Sequence, residues 1–255
     1  MVALLAAVGS LLFLLPLVGL LWRAPWSTVG AQLRDPSVRT AMRLSLQCSL
    51  SALALCVCFG TPIALVLARA EFPGKAVVRA LVTLPMVLPP VVGGVALLLA
   101  FGRLGLVGRL LYEWFHVRLA FTTTGVVLAE SFVAMPFYVV TVEAALASLD
   151  HRLEEAAATL GASPTRVFRT VTLPLIARSV AAGAALSWAR ALGEFGATVT
   201  FAASVQGVTQ TIPLKVYLAL ETDPDGAVML SVLLLVVSVV VLVAFHDRWL
   251  QRARA

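Results

Sequence analysis

Six stretches of the chain are almost wholly apolar and about 20 residues or longer: 2–22, 44–68, 81–101, 125–149, 175–201 and 227–245. At 1.5 Å rise per residue such a run crosses a hydrocarbon layer of about 30 Å, and in lipid a helix satisfies every backbone polar group within itself. The pattern predicts an all-α polytopic membrane protein, one transmembrane domain over 1–255 with six spans. No basic residue precedes the first run and no small-x-small cleavage site follows it, so a retained helix is expected there. The third run opens on Pro85, Pro89 and Pro90, the fourth contains Pro136, and the fifth carries Arg190 and Glu194.

Two of the segments between the runs have patterns of their own. Leu106 to Phe115 is a short amphipathic patch with Tyr112 and Trp114, residues suited to a membrane interface. Segment 150–174 is polar, long and helix-forming. Leu149, Leu153, Ala156, Ala157 and Leu160 recur at i, i+4, i+7, i+8 and i+11, one face of a helix. Asp150 stands at the N-cap position with Glu154 and Glu155 near the positive end of the helix dipole, and Gly161 is placed to end the helix. Ser163 and Pro164 then open a second short helix to about Thr172, and Leu173-Pro174 lead into the fifth run. The segment reads as a helix–glycine–helix elbow outside the membrane. An interfacial helix lying on lipid is the plainer alternative; Ala156 and Ala157 are too small to anchor one, and small residues beside a glycine suit close approach by another protein.

Composition agrees with the pattern. The chain is 60% apolar and 13% charged, about half the charge that keeps a soluble domain solvated. This excludes a soluble enzyme, a disordered tail and a secreted disulfide module. The formal net charge of +6 is spread over loop ends, as expected of a membrane protein, and implies no nucleic-acid partner. Cys48, Cys56 and Cys58 lie inside one apolar run without zinc or redox spacing. With both termini cytoplasmic the inside loops hold ten basic residues and the outside loops eight, Arg190 lying within a span; that bias alone leaves orientation open.

The elbow carries a recognisable signature. Glu155-Ala156-Ala157, then Gly161, then Val171-Thr172-Leu173-Pro174 resembles the EAA signature of ABC importer permease subunits, with Val171 where isoleucine is usual. The run from Leu84 through Pro89 and Pro90 to Gly93, the Ala191-Leu192-Gly193-Glu194-Phe195-Gly196-Ala197-Thr198 segment, and Thr211-Ile212-Pro213-Leu214 with Tyr217 are similar to molybdate permeases; the Gly-Glu-Phe-Gly-Ala element is shared with sulfate and thiosulfate permeases. The resemblance implies the fold of type I importer permeases and a molybdate importer that also passes tungstate. It further implies an ATP-binding cassette ATPase subunit docked on the elbow, an extracytoplasmic oxyanion-binding protein, a second permease copy as homodimer, and a prokaryotic cell membrane with both termini inside. A sulfate or thiosulfate permease is the nearest alternative, a passive anion channel a remoter one.

Candidate site residues follow in two groups. ATPase coupling is expected of Glu155, Ala156, Ala157, Leu160, Gly161 and Pro164. The translocation pathway or gate is expected of Ser187, Arg190, Gly193, Glu194, Gly196 and Thr198. Arg190 and Glu194 stand i, i+4, so a helix would pair them, either to fix helix packing or as part of a gate. Gly193 and Gly196 permit close approach or a helix break. Ser187 and Thr198 are neutral donors past which a dianion could move without being trapped. Glu130 and Glu143 are expected near opposite ends of the fourth span, not in one site. No catalytic constellation, metal cluster or cofactor motif appears; His116, His151 and His246 stand alone at span edges or in loops. The fragment Gly74-Lys75 lacks the P-loop glycine, Arg69 standing at that position, and Ala76 replaces the Ser or Thr. The chain itself is therefore expected not to be an enzyme.

Overall fold

The computed structural model describes residues 1–251, without the side chains of 241, 242 and 244–251. Arg252 and Arg254 lie outside the described residues, as does the side chain of Arg248. In chain order the helices are α1 Val2–Arg23, α2 Val29–Arg34, α3 Pro36–Arg69, α4 Lys75–Thr83, α5 Pro90–Phe101, α6 Gly108–Phe115, α7 Thr123–Ala147, α8 His151–Thr159, α9 Pro164–Val167, α10 Leu173–Leu192, α11 Gly196–Ala202, α12 Ile212–Thr222 and α13 Pro224–Gln251. Among the described residues every regular element is helical. Among the described residues four helices are long and apolar enough to cross a membrane (α1, α3, α7 and the run Pro164–Leu192), or five if the bent pair α4–α5 is one span. The sixth expected run lies in α13, whose side chains are described in part.

The chain divides into two compact units. The first comprises Met1–Ser45 and Ser204–Val240. Val38, Ala41, Ile212 and Leu230 form one buried cluster in it, and Ala24, Met229 and Val232 another. Polar ties set its register: Ile212 N–H donates to Ser45 Oγ at 2.7 Å, and Lys215 Nζ donates to Ser37 Oγ at 2.9 Å. Asp35 accepts from the Ser37 N–H at 2.7 Å and caps α3, with Pro36 in the first helical position where a missing N–H costs nothing.

The second unit holds Leu46–Ala203 and the end of α13. Helix α7 is its centre, packing Ala134, Tyr138, Val139 and Val142 against Ala52, Cys56 and Ala64 of α3 and against Ala191 of α10. Many of these residues are small. In lipid, where apolar surface gains little from leaving the solvent, close backbone approach and dispersion hold helices together. Leu97, Ala129, Val133, Ala197 and Phe201 make a second cluster between α5, α7 and α11.

Two runs and the elbow differ from their expected form. The third is not one straight span: residues 75–86 and 90–101 meet at 116°. Proline explains the bend, because Pro85, Pro89 and Pro90 remove three amide donors in six residues and each disfavours helix in the residue before it. The fifth run breaks between α10 and α11 at residues 193–195. The second elbow helix is not separate from the fifth span either. A π turn, Phe168–Thr172, joins α9 to α10 without a gap, and Leu173 N–H reaches back to Phe168 O. Pro174 has no N–H to offer Thr170, which allows the wider turn at that point.

Candidate coupling elbow and gate

The elbow is built from short-range interactions. Asp150 accepts from Arg152 N–H at 3.0 Å and starts α8. At the other end Gly161 adopts φ +86°, with Gly161 N–H donating to Ala158 O at 2.9 Å and Ala162 N–H to Ala157 O at 3.1 Å. These two bonds make a Schellman cap, whose left-handed residue is glycine because a Cβ is disfavoured there. Ser163 occupies the N-cap position of α9, though its side chain makes no cap bond.

Longer-range ties hold α8 in place. Glu154 Oε2 lies 2.9 Å from Arg69 Nη2, at the end of α3, and Glu154 Oε1 accepts from Thr172 Oγ1 in the π turn. His151 Nδ1 is 3.7 Å from the same carboxylate and its ring contacts Arg69. A groove of about 490 Å³ runs beside these residues, with Leu65, Glu155, Ala158, Pro164 and Phe168 in its walls. Of the expected coupling residues, Leu160 is 89% exposed. Glu155, Ala156, Gly161 and Pro164 are exposed too, and Ala157 is half-buried. Five of the six are thus at the surface of the elbow. Arg69 and Glu154, which organise it, carry no signature in the sequence.

The second candidate lies where the fifth run breaks. Arg190 Nη1 meets Glu194 Oε2 at 2.6 Å, and Glu194 Oε1 accepts from Ala197 N–H at 2.8 Å. Glu194 is therefore past the end of α10 and caps α11 with one oxygen while pairing with the other. The expected pair is present, but across a helix break, not along one helix. Gly196 permits the break to pack: a Cβ there would stand 2.9 Å from Pro90 Cβ. Thr198 and Ser187 are fully buried, the latter set against the Cys56 thiol of α3. Among the described residues Thr198 Oγ1 has no hydrogen-bond partner.

Glu130 belongs with this group. It is 1% exposed, lies within electrostatic reach of Glu194, and its Oε2 has no hydrogen-bond partner among the described residues. A carboxyl inside an apolar run was a signal for such a role, but the partner on another helix cannot be read from α7 alone. Glu143 is occupied elsewhere, paired with Arg79 of α4. Of these carboxyls Glu194 alone pairs with Arg190 and caps α11, an arrangement that holds a helix break and is not a ligand set for an anion. Among the described residues no three His, Cys, Asp or Glu side chains gather to hold a metal ion.

Apolar helices, an exposed elbow and a charged break at the end of a membrane-crossing run are the features of a multi-pass membrane permease. Residues 60–255 match the family described as binding-protein-dependent transport system inner membrane component, and the chain belongs to that family. It is 49% identical over 245 residues to the molybdenum transport system permease protein ModB of Mycobacterium tuberculosis, covering 96% of this chain and 92% of the relative. It is 41% identical over 222 residues to the protein of the same name from Escherichia coli, covering 86% and 96%. The fold is that of a bacterial ABC transporter involved in the import of alginate, with a TM-score of 0.79 over 98% of this chain and 94% of the other at 18% identity. Membership makes the chain a component of a transport system, and the permease is not itself catalytic.

Proposed function

We infer that this chain is the membrane permease of an ATP-driven importer of molybdate, tungstate sharing the route. An ATP-binding cassette ATPase docks on the elbow and an extracytoplasmic oxyanion-binding protein delivers the anion. A second copy completes the pathway, in a prokaryotic cell membrane with both termini inside. The names of the relatives support the cargo. The observation that carries the mechanism is that Pro164–Leu192 is one helical run of 29 residues. At 1.5 Å per residue it is a rod of about 43 Å, with the Schellman-capped elbow at its start and the Arg190–Glu194 pair at its end. A displacement imposed on Ala156, Ala157 and Leu160 by the ATPase is thereby delivered to the helix break, where Gly193 and Gly196 allow it to move. Thr198 and Ser187, buried beside the break in this conformation, become neutral donors for a passing dianion when the break opens.

The test is uptake by proteoliposomes holding this permease with its ATPase and binding protein. Gly161→Asp, which places a Cβ and a charge at φ +86° on the docking surface, is expected to abolish ATP-dependent molybdate uptake while the permease still inserts. Undiminished uptake overturns the coupling assignment. Competition at micromolar anion separates cargoes: suppression by tungstate and not sulfate supports molybdate, and suppression by sulfate supports the sulfate reading. Flux that persists without ATPase or ATP would make the chain a passive channel.

A further inference from the structure

At the end of α7 away from the elbow, the segment after α5 folds back on α6. Arg103 and Arg118, fifteen residues apart in the chain, converge on Tyr112. Their guanidinium carbons stand 4.4 Å and 5.2 Å from the ring centroid, and each Nη2 reaches the phenol oxygen, at 3.4 Å and 3.5 Å. The hydrogen bond from Arg118 and the charges of both arginines lower the Tyr112 phenol from its ordinary range. Both arginines border a pocket of about 320 Å³ whose other walls include Phe101, Val117, Leu119 and Thr122. Among the described residues neither forms an ion pair; the nearby carboxylate, Glu113, is taken by Arg109 at 3.1 Å.

Two uncompensated guanidiniums held on one ring repel each other, and the stacking recovers only about 1 kcal/mol for each at an exposed position. Their forked donors suit oxygens on a tetrahedral centre. We propose that Arg103, Tyr112 and Arg118 form a binding site for a tetrahedral oxyanion. Tyr112 sets the fork angle of both arginines, and their remaining N–H groups take the anion. Two sources offer that chemistry: a free dianion of the kind transported, a source that rests on the function proposed above, and the phosphate of an anionic phospholipid. Leu104, Leu106, Trp114 and Phe115, near the site in the chain and 66–92% exposed, suit the lipid source; the two arginines alone suit the free anion.

The test reads binding, so its outcome is independent of transport. Full-length permease in detergent is compared with Arg103→Gln/Arg118→Gln, using molybdate in equilibrium dialysis and phosphatidylglycerol retention by native mass spectrometry. The double variant is expected to lose at least about tenfold in affinity for one of the two probes, and added salt to weaken the wild type alone. Loss of molybdate binding assigns the free anion; loss confined to phosphatidylglycerol assigns the headgroup. Tyr112→Phe, which removes only the hydroxyl, is expected to weaken the same probe to a smaller extent while the unfolding temperature holds. Equal binding of both probes by wild type and double variant overturns the proposal. Should the double variant fail to fold, Arg103→Lys alone, which keeps the charge and loses the fork, must still weaken the affected probe.

Discussion

Gly94 of α5 faces Ala197 of α11 so closely that a Cβ on Gly94 would stand 2.7 Å from the Ala197 carbonyl oxygen and 2.7 Å from Thr200 Cβ. The obstruction is largely backbone, which cannot rotate away, so the contact fixes where α11 lies after the break.

Gly94→Val is therefore expected to destabilise the permease by about 1–3 kcal/mol, the range for overpacking in a filled site. The measurement is the unfolding temperature of the detergent-solubilised protein. Gly93→Ala is the control: a Cβ there would meet only the Phe132 ring, at 3.1 Å, and a side-chain ring can shift. Equal stability of Gly94→Val and wild type would show that the two helices do not meet as described.

The elbow's second anchor gives a different expectation. The Arg69–Glu154 pair is about one-fifth exposed on each side, so its contribution is limited to about 1 kcal/mol by solvent screening. Glu154→Gln keeps an acceptor for Thr172 and removes the ion pair. The protein is expected to fold normally, with amide exchange across α8 rising about fivefold. Unchanged exchange would mean that α8 is held by its caps alone.

These cases show what was legible in the sequence. Helix α7, the N-cap at Asp150 and the turn at Gly161 were, because periodicity and capping act over a few neighbouring residues. The prolines at 85, 89 and 90 announced an interruption, but not its 116° angle, which depends on how α5 packs against α11 through Gly94 and Gly196. The Arg190–Glu194 pair was legible from spacing, though the break that separates its members was not. Arg69 with Glu154, and Glu130 with Glu194, join residues remote in the chain, and nothing local in the sequence marks either relation.

Acid should act at the start of α3. Hydrogen bonds from the Ser37 hydroxyl, first, and from the Ser37 amide hold the Asp35 carboxyl below its model-compound value of 3.8. A lowered folded-state value means the cap is fully present above the unfolded value and is lost as pH falls through the folded one. Amide exchange at residues 37–40 is expected to rise only at the acid end of that window in the wild type. In Asp35→Asn, which keeps a neutral acceptor, it should not vary with pH beyond the intrinsic rate. Asp35→Ala should lose the cap at every pH, about 1 kcal/mol.

The Arg190–Glu194 pair separates packing from gating. Glu194 is 1% exposed and Arg190 29%. Arg190→Met leaves a buried carboxylate without its counter-charge, a change that costs about 3–5 kcal/mol in a dry site; the partial exposure of Arg190 places the expected loss at the low end. Glu194→Gln keeps an acceptor for the Ala197 amide but strands the guanidinium, which can turn towards solvent, so its loss should be smaller. Arg190→Met/Glu194→Gln removes both charges and should unfold close to the wild-type temperature, giving a coupling energy well outside the few tenths of a kcal/mol seen for independent sites. Additive single effects would show that the pair does not act as a unit. The folded double variant then tests the gate in liposomes without ATP: measurable molybdate leak identifies the pair as a closure of the pathway, whereas a tight membrane with normal ATP-driven uptake confines it to packing.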